Sequence, residues 1–120
     1  MQYDLRANIH EMARQDPARQ AQAERTGRLI AEARKRRAAS LGFAPAPDDR
    51  RPDYGPYSRA ALAQRLRVSE DSIRLWELGK ASPPKKGSIR GRLCRELGVT
   101  AADLEFDKLD DRPGLQLFPE

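Results

Sequence analysis

The chain has little of what disulfides, metal centres and catalytic sites are made from. Its single cysteine, Cys94, excludes an intrachain disulfide and a cysteine-cluster metal site. Between Leu93 and Leu97 at helical spacing, it reads as a small core residue. The single histidine, His10, falls in a polar N-terminal stretch. No glycine-rich phosphate loop is present, and no pair of carboxylates stands in an evident apolar pocket. Neither an enzyme nor a bound cofactor or metal is therefore expected. Apolar runs stay far short of a membrane span, and the opening MQYDLRANIHEM lacks the basic-then-apolar order of a secretion signal. The expectation is a cytoplasmic protein with no membrane contact.

What the chain has in quantity is charge. Charged residues make up 34% of the 120, against 38% hydrophobic, which allows one modest helical core with polar extensions. The net charge of +5 is unevenly placed: residues 101–120 hold six acidic and two basic side chains, leaving +9 on residues 1–100. Such a balance favours a polyanionic partner, nucleic acid or an anionic surface.

Leu5, Ile9 and Met12 have the spacing of a short amphipathic helix. Asp16-Pro17 then reads as an N-cap with proline at the first helical position, opening a helix that runs to about Leu41 before Gly42 stops it. Apolar residues are sparse in that helix until Leu29, Ile30 and Ala33, so its first half is expected to dock on a second subunit. Residues Ala44 to Pro56, rich in proline, cannot continue a helix and form a long loop. There Arg50, Arg51, Tyr54 and Tyr57 either touch a partner or, for the tyrosines, pack on the core.

Beyond the loop the helix signals strengthen. Ser58 caps a helix containing Leu62, Ala63 and Leu66; Ser69 caps a second containing Ile73 and Trp76, which Gly79 ends. A third helix spans about Ser88 to Leu97 and stops at Gly98, and Thr100 to Leu104 supplies a fresh cap and a short helix. From Asp107 the tail reads as extended or disordered. Two short helices joined by about three residues must cross steeply, the geometry of a helix-turn-helix. Leu62, Ala63, Leu66, Val68, Ile73 and Trp76 then face inward. Glu70, Asp71, Arg74, Leu75 and Leu78 face outward, where a helix of this size enters the DNA major groove.

The stretch YSRAALAQRLRVSEDSIRLWELGKASPP resembles the core of the Cro and phage-repressor family of helix-turn-helix domains, and LCRELGVTAADLEF resembles that family's fourth helix, turn and fifth helix. Together they cover about half the chain. With Arg28 to Arg37 as first helix, the resemblance implies an all-α, five-helix, lambda-repressor-like DNA-binding domain over residues 25–106. It would carry an N-terminal helical extension (1–24), an inserted loop (44–56) and an acidic tail (107–120). It also implies a regulator of transcription, a repressor, that binds a double-stranded DNA operator as a homodimer. The dimer surfaces would come from the N-terminal helices, the region Asp103 to Phe106 or Leu115 to Phe118. A protein partner through the N-terminal helix or the tail is a further expectation.

Carried over residue by residue, the resemblance puts Ser69, Glu70, Asp71, Arg74 and Leu75 at base-facing positions and Ser58, Arg59 and Lys80 at phosphate-facing ones. Arg74 suits guanine O6 and N7, Glu70 or Asp71 suits cytosine N4, and Leu75 suits a thymine methyl. Cations and a helix N-terminus suit phosphates. The basic cluster Lys85, Lys86, Arg90 and Arg92 reads as a phosphate or minor-groove contact. A family pairing between the first helix and the end of the recognition helix implies an ion pair of Arg34 with Glu77.

The chain departs from the family at three places. Arg59 stands where glutamine is usual, Arg67 where glycine is usual, and thirteen residues, Ala44 to Pro56, are inserted. Two other readings stay open. A winged MerR-like or excisionase-like binder shares the opening helices but needs a strand hairpin that LCRELGVTAADL does not supply. A protein-interaction module, such as an antitoxin or anti-repressor, draws on the acids Glu70 and Asp71, which repel phosphates.

Overall fold

The computed structural model describes residues 17–43, 45, 54–85 and 87–110. The amphipathic segment expected over residues 1–15, most of the inserted loop with Arg50 and Arg51, Lys86, and the tail beyond Asp110 lie outside the described residues. Within them the chain is all-α, with five helices and no strand: α1 (Pro17–Ser40), α2 (Arg59–Leu66), α3 (Glu70–Leu78), α4 (Ile89–Leu97) and α5 (Phe106–Asp110). None is long and apolar enough to cross a membrane.

Good helix formers carry α1 from Pro17 to Ser40 without a break, so residue 24 is no structural boundary. Thr26, Gly27, Ile30, Ala33, Arg34 and Ala38 are its buried positions, single residues or adjacent pairs recurring every three or four residues on one face. The core beneath them comprises Tyr57, Leu62, Ala63, Leu66, Ile73, Trp76, Leu93, Cys94, Leu97, Leu104 and Phe106. Of the six residues expected to face inward, five are buried and Val68 is half-buried. Burial pushes the Cys94 thiol up from its ordinary value, which suits a packing role.

The first half of α1 also makes contacts within its own chain, although its residues before Thr26 are exposed or half-buried. An ideal Cβ on Gly27 would meet the carbonyl oxygens of Trp76 and Glu77, so the backbones of α1 and α3 touch there. Glycine in the middle of an alanine-rich helix costs up to about 1 kcal/mol relative to alanine. The close approach is what that cost secures. Gln20 Nε2 donates to Gly79 O at 3.4 Å, and Gln22 and Arg25 reach Glu105 beyond α4.

After α4 the chain also differs from the expected cap and short helix. Thr100 N donates to Asp103 Oδ2 at 2.9 Å and Asp103 N to Thr100 Oγ1 at 3.1 Å, the reciprocal bonds of a capping box. Only one turn follows. Phe106 N donates to Ala101 O and Glu105 N to Ala102 O, which closes that turn with Glu105 left-handed at φ 59°. The chain then resumes as α5, so residues 107–110 are helical rather than extended. Phe106 and Leu104 anchor the segment in the core.

Glu105 is held in that conformation by its side chain. Arg25 Nε donates to Oε1 at 2.8 Å and Oε2 at 3.0 Å, and Gln22 Nε2 donates to Oε1 at 3.0 Å. The Arg25 guanidinium first, then the Gln22 amide, pull the Glu105 carboxyl down from 4.5 to about 2.

Two outcomes follow. Gly27→Ala should lose about 1–3 kcal/mol in urea unfolding through overpacking. Gly91→Ala, whose new Cβ would meet only Arg95 Nη1 at 3.8 Å, should gain up to about 1 kcal/mol. For Glu105 the folded carboxyl is the more acidic, so its contribution is complete above pH 4.5 and disappears as the pH falls toward 2. Thermal melts should therefore show a steeper acid decline for the parent than for Glu105→Gln in that window. Parallel curves would refute the link.

Candidate nucleic-acid interface

The pair α2 and α3 is set by its ends. Ser58 Oγ accepts from Ala61 N at 3.1 Å and Ser69 Oγ from Ser72 N at 3.0 Å, so each helix begins where a hydroxyl satisfies an otherwise unpaired amide. Between them Arg67 takes the left-handed conformation, φ 59° and ψ 45°. Its amide bonds Gln64 O and the Val68 amide bonds Ala63 O, so an arginine stands at a position that turns left-handed, where glycine would be unstrained. The strain is about 1–2 kcal/mol.

At its other end α3 stops at Gly79, φ 75°, where a Cβ would lie 2.7 Å from Glu24 Cα of α1. Only glycine answers both the turn and the contact. Lys80 follows with its side chain exposed.

The orientation of α3 is fixed from below by charge. Arg34 and Glu77 are each 3% exposed, and Arg34 Nε donates to Glu77 Oε2 at 2.7 Å while its Nη2 donates to Oε1 at 3.2 Å. Nη1 donates to Tyr57 O at 3.0 Å, which ties in the turn Gly55–Tyr57 ahead of α2. The Tyr54 ring lies 5.3 Å from the guanidinium carbon. Both tyrosines thus belong to the structure around the pair. Arg59 adds a second cation, its Nε donating to Glu77 Oε1 at 2.9 Å, with the side chain 39% exposed.

Glu70, Asp71, Arg74 and Leu78 are exposed on the outward face of α3, and Leu75 is half-buried. A shallow cleft of about 360 Å³ between α2 and α3 is lined by Arg59, Glu70, Asp71 and Arg74, so one expected phosphate contact and three expected base contacts share one surface. Asp71 Oδ1 accepts from Arg74 Nε at 2.8 Å and Nη2 at 2.6 Å. Ser69 and Ser72 share a hydroxyl–hydroxyl bond of 2.8 Å.

The basic cluster divides. Lys85 is exposed. Arg90 Nε donates to Pro83 O at 3.0 Å and its guanidinium lies 5.0 Å from the Phe106 ring centre, so it braces the segment after α3 against α5. Arg92 Nη2 donates to Arg65 O at 2.7 Å, and Arg65 pairs with Glu96 at 2.7 Å, joining α2 to α4.

Three features were absent from the sequence reading: the contact at Gly27, the second cation on Glu77, and the Asp71–Arg74 pair. The three-residue spacing of Asp71 and Arg74, which places them together on a helix, was the signal for the last. Comparison of the chain with protein-family models, with curated proteins and with solved structures gives no match.

Breaking the buried pair should be costly. Arg34→Ala is expected to lose about 3–5 kcal/mol of unfolding free energy by leaving Glu77 buried beside a single, half-exposed partner. Arg59→Ala should lose no more than about 1 kcal/mol, because that partner is solvated. Urea titrations read both, and an Arg34→Ala protein as stable as its parent would refute the arrangement.

Proposed function

We propose that the chain is a sequence-specific double-stranded DNA-binding regulator of transcription, a repressor that lays α3 in the major groove and obstructs polymerase. One observation carries the reading. The inner face of α3, Ile73, Trp76 and Glu77, is buried against α1 and α2, while Glu70, Asp71, Arg74 and Leu78 are left to solvent. That division suits a helix that reads base edges from a rigid support. The sequence resemblance to Cro-like and phage-repressor domains is a second, independent support. Arg74, with Glu70 and Leu75, reads bases; Lys80, Lys85 and the capped start of α2 at Ser58 meet phosphates. A cytoplasmic homodimer placing two α3 helices about 34 Å apart on a partly palindromic operator completes the proposal.

A protein-interaction module is the second reading, and a particular observation favours it. Arg59, Arg74 and Arg90 already have partners within the chain, Asp71 being that of Arg74, while Glu70 stands exposed at the front of α3. Leu78, 46% exposed, adds an apolar contact.

Selection of bound duplexes from random DNA distinguishes the two. The regulator reading expects one enriched site with two-fold symmetry. Arg74→Ala should lose about 1–3 kcal/mol and relax one base position. Lys80→Ala should weaken all sequences alike and reduce the salt slope by about one. If no duplex is retained at low salt, and both variants keep full function in cells, the protein-interaction reading replaces it.

A further inference from the structure

The front of α3 pairs an acid with the arginine expected to read a base, and the way their atoms meet is specific. A guanidinium is a planar fork of five donors, with a side edge formed by Nε and Nη2 and an end edge formed by Nη1 and Nη2. Asp71 Oδ1 occupies the side edge of Arg74, at 2.8 Å from Nε and 2.6 Å from Nη2. The end edge keeps two parallel donors, the arrangement that guanine O6 and N7 accept together. The neighbouring hydroxyls of Ser69 and Ser72 are turned to each other, and Ser69 also caps the helix.

We infer that Asp71 is a positioning residue for Arg74: it sets the plane of the guanidinium so that the end edge meets a guanine, and it cancels the charge that would draw Arg74 to any phosphate. The inference rests on the DNA-binding reading above. Fixing the plane in advance reduces the freedom lost on binding. The carboxylate also lowers affinity for every duplex, because its charge has the same sign as the phosphates, and it lowers it least where a guanine rewards the fixed edge. Discrimination then comes from a repulsive element as well as an attractive one. Glu70, exposed beside the pair in the same cleft, is left to accept from a neighbouring cytosine amine.

The test uses the full chain, the duplex selected from random DNA, and three copies of it in which the guanine lost by Arg74→Ala is changed to each other base. The parent should prefer guanine by about ten-fold or more. Asp71→Ala should bind all four duplexes more tightly, with a salt slope steeper by about one, and its guanine preference should fall several-fold. Asp71→Asn keeps an acceptor oxygen without the charge. It should recover much of the preference while keeping the steeper slope. A carboxylate that only stabilised the first turn of α3 would change the melting temperature and leave the preference ratio alone. An unchanged ratio in Asp71→Ala therefore overturns the role given to Asp71, and leaves DNA reading by Arg74 intact. If the parent retains no duplex, both readings fall together.

Discussion

The contact between Arg34 and Glu77 is the constraint to which the rest of this structure answers. Two charges almost wholly out of water lose several kcal/mol of hydration each, and only close, multiple hydrogen bonds offset that loss. Glu77 obtains them from two arginines, and Arg34 obtains a further acceptor from Tyr57 O. The bonds need α1, the turn ahead of α2, and α3 to be in one relative placement. Gly27, two helical turns before Arg34 on the same face of α1, lets the backbones come close enough for it. A bulkier residue there would separate α1 from α3 at Trp76, where the two helices are pinned.

A buried pair of this kind adds little net stability relative to an apolar pair of the same size, so its contribution here is placement. The same carboxylate that receives Arg34 also receives Arg59 at the surface, which puts one of the few cations of the α2–α3 cleft under the control of the interior. Asp71 does the same to Arg74. On the proposed DNA-binding reading, the cleft is nearly neutral and long-range attraction falls to Lys80, Lys85 and the charge that the chain carries elsewhere. Affinity for arbitrary duplexes is then low, and the difference between right and wrong sequences matters more than the total.

Much of this was legible in the sequence because the signals were local. Serines placed before periodic apolar residues located the starts of α2 and α3, and glycines located the ends of α3 and α4. Arg34 and Glu77, forty-three positions apart, were paired only through the resemblance, since no periodicity connects residues across a proline-rich loop. Sequence spacing failed where tertiary contact overrode it. Apolar residues are scarce from Pro17 to Arg28, so that half of α1 read as unpartnered; its docking uses a glycine, a buried threonine and polar side chains that bond Gly79 O and Glu105. Thr100 to Leu104 has a correct cap, yet the turn ends early because Glu105 is bound by Arg25 and Gln22 in a conformation that helices do not continue through.

The two ion pairs of α3 differ in burial, and that difference separates what can vary from what cannot. Asp71 and Arg74 are 63% and 45% exposed, so exchanging either costs no more than about 1 kcal/mol of stability. Glu77 is closed to exchange unless Arg34 changes with it, because either charge left alone in the interior is destabilising by several kcal/mol. The outward face of α3 is therefore free to change its chemistry one residue at a time while its position stays fixed. A scaffold that must present one helix to many different surfaces requires that separation, whether the surface is a base sequence or a protein. In this chain it results from placing the glutamate at the buried end of α3 and the aspartate at the exposed front.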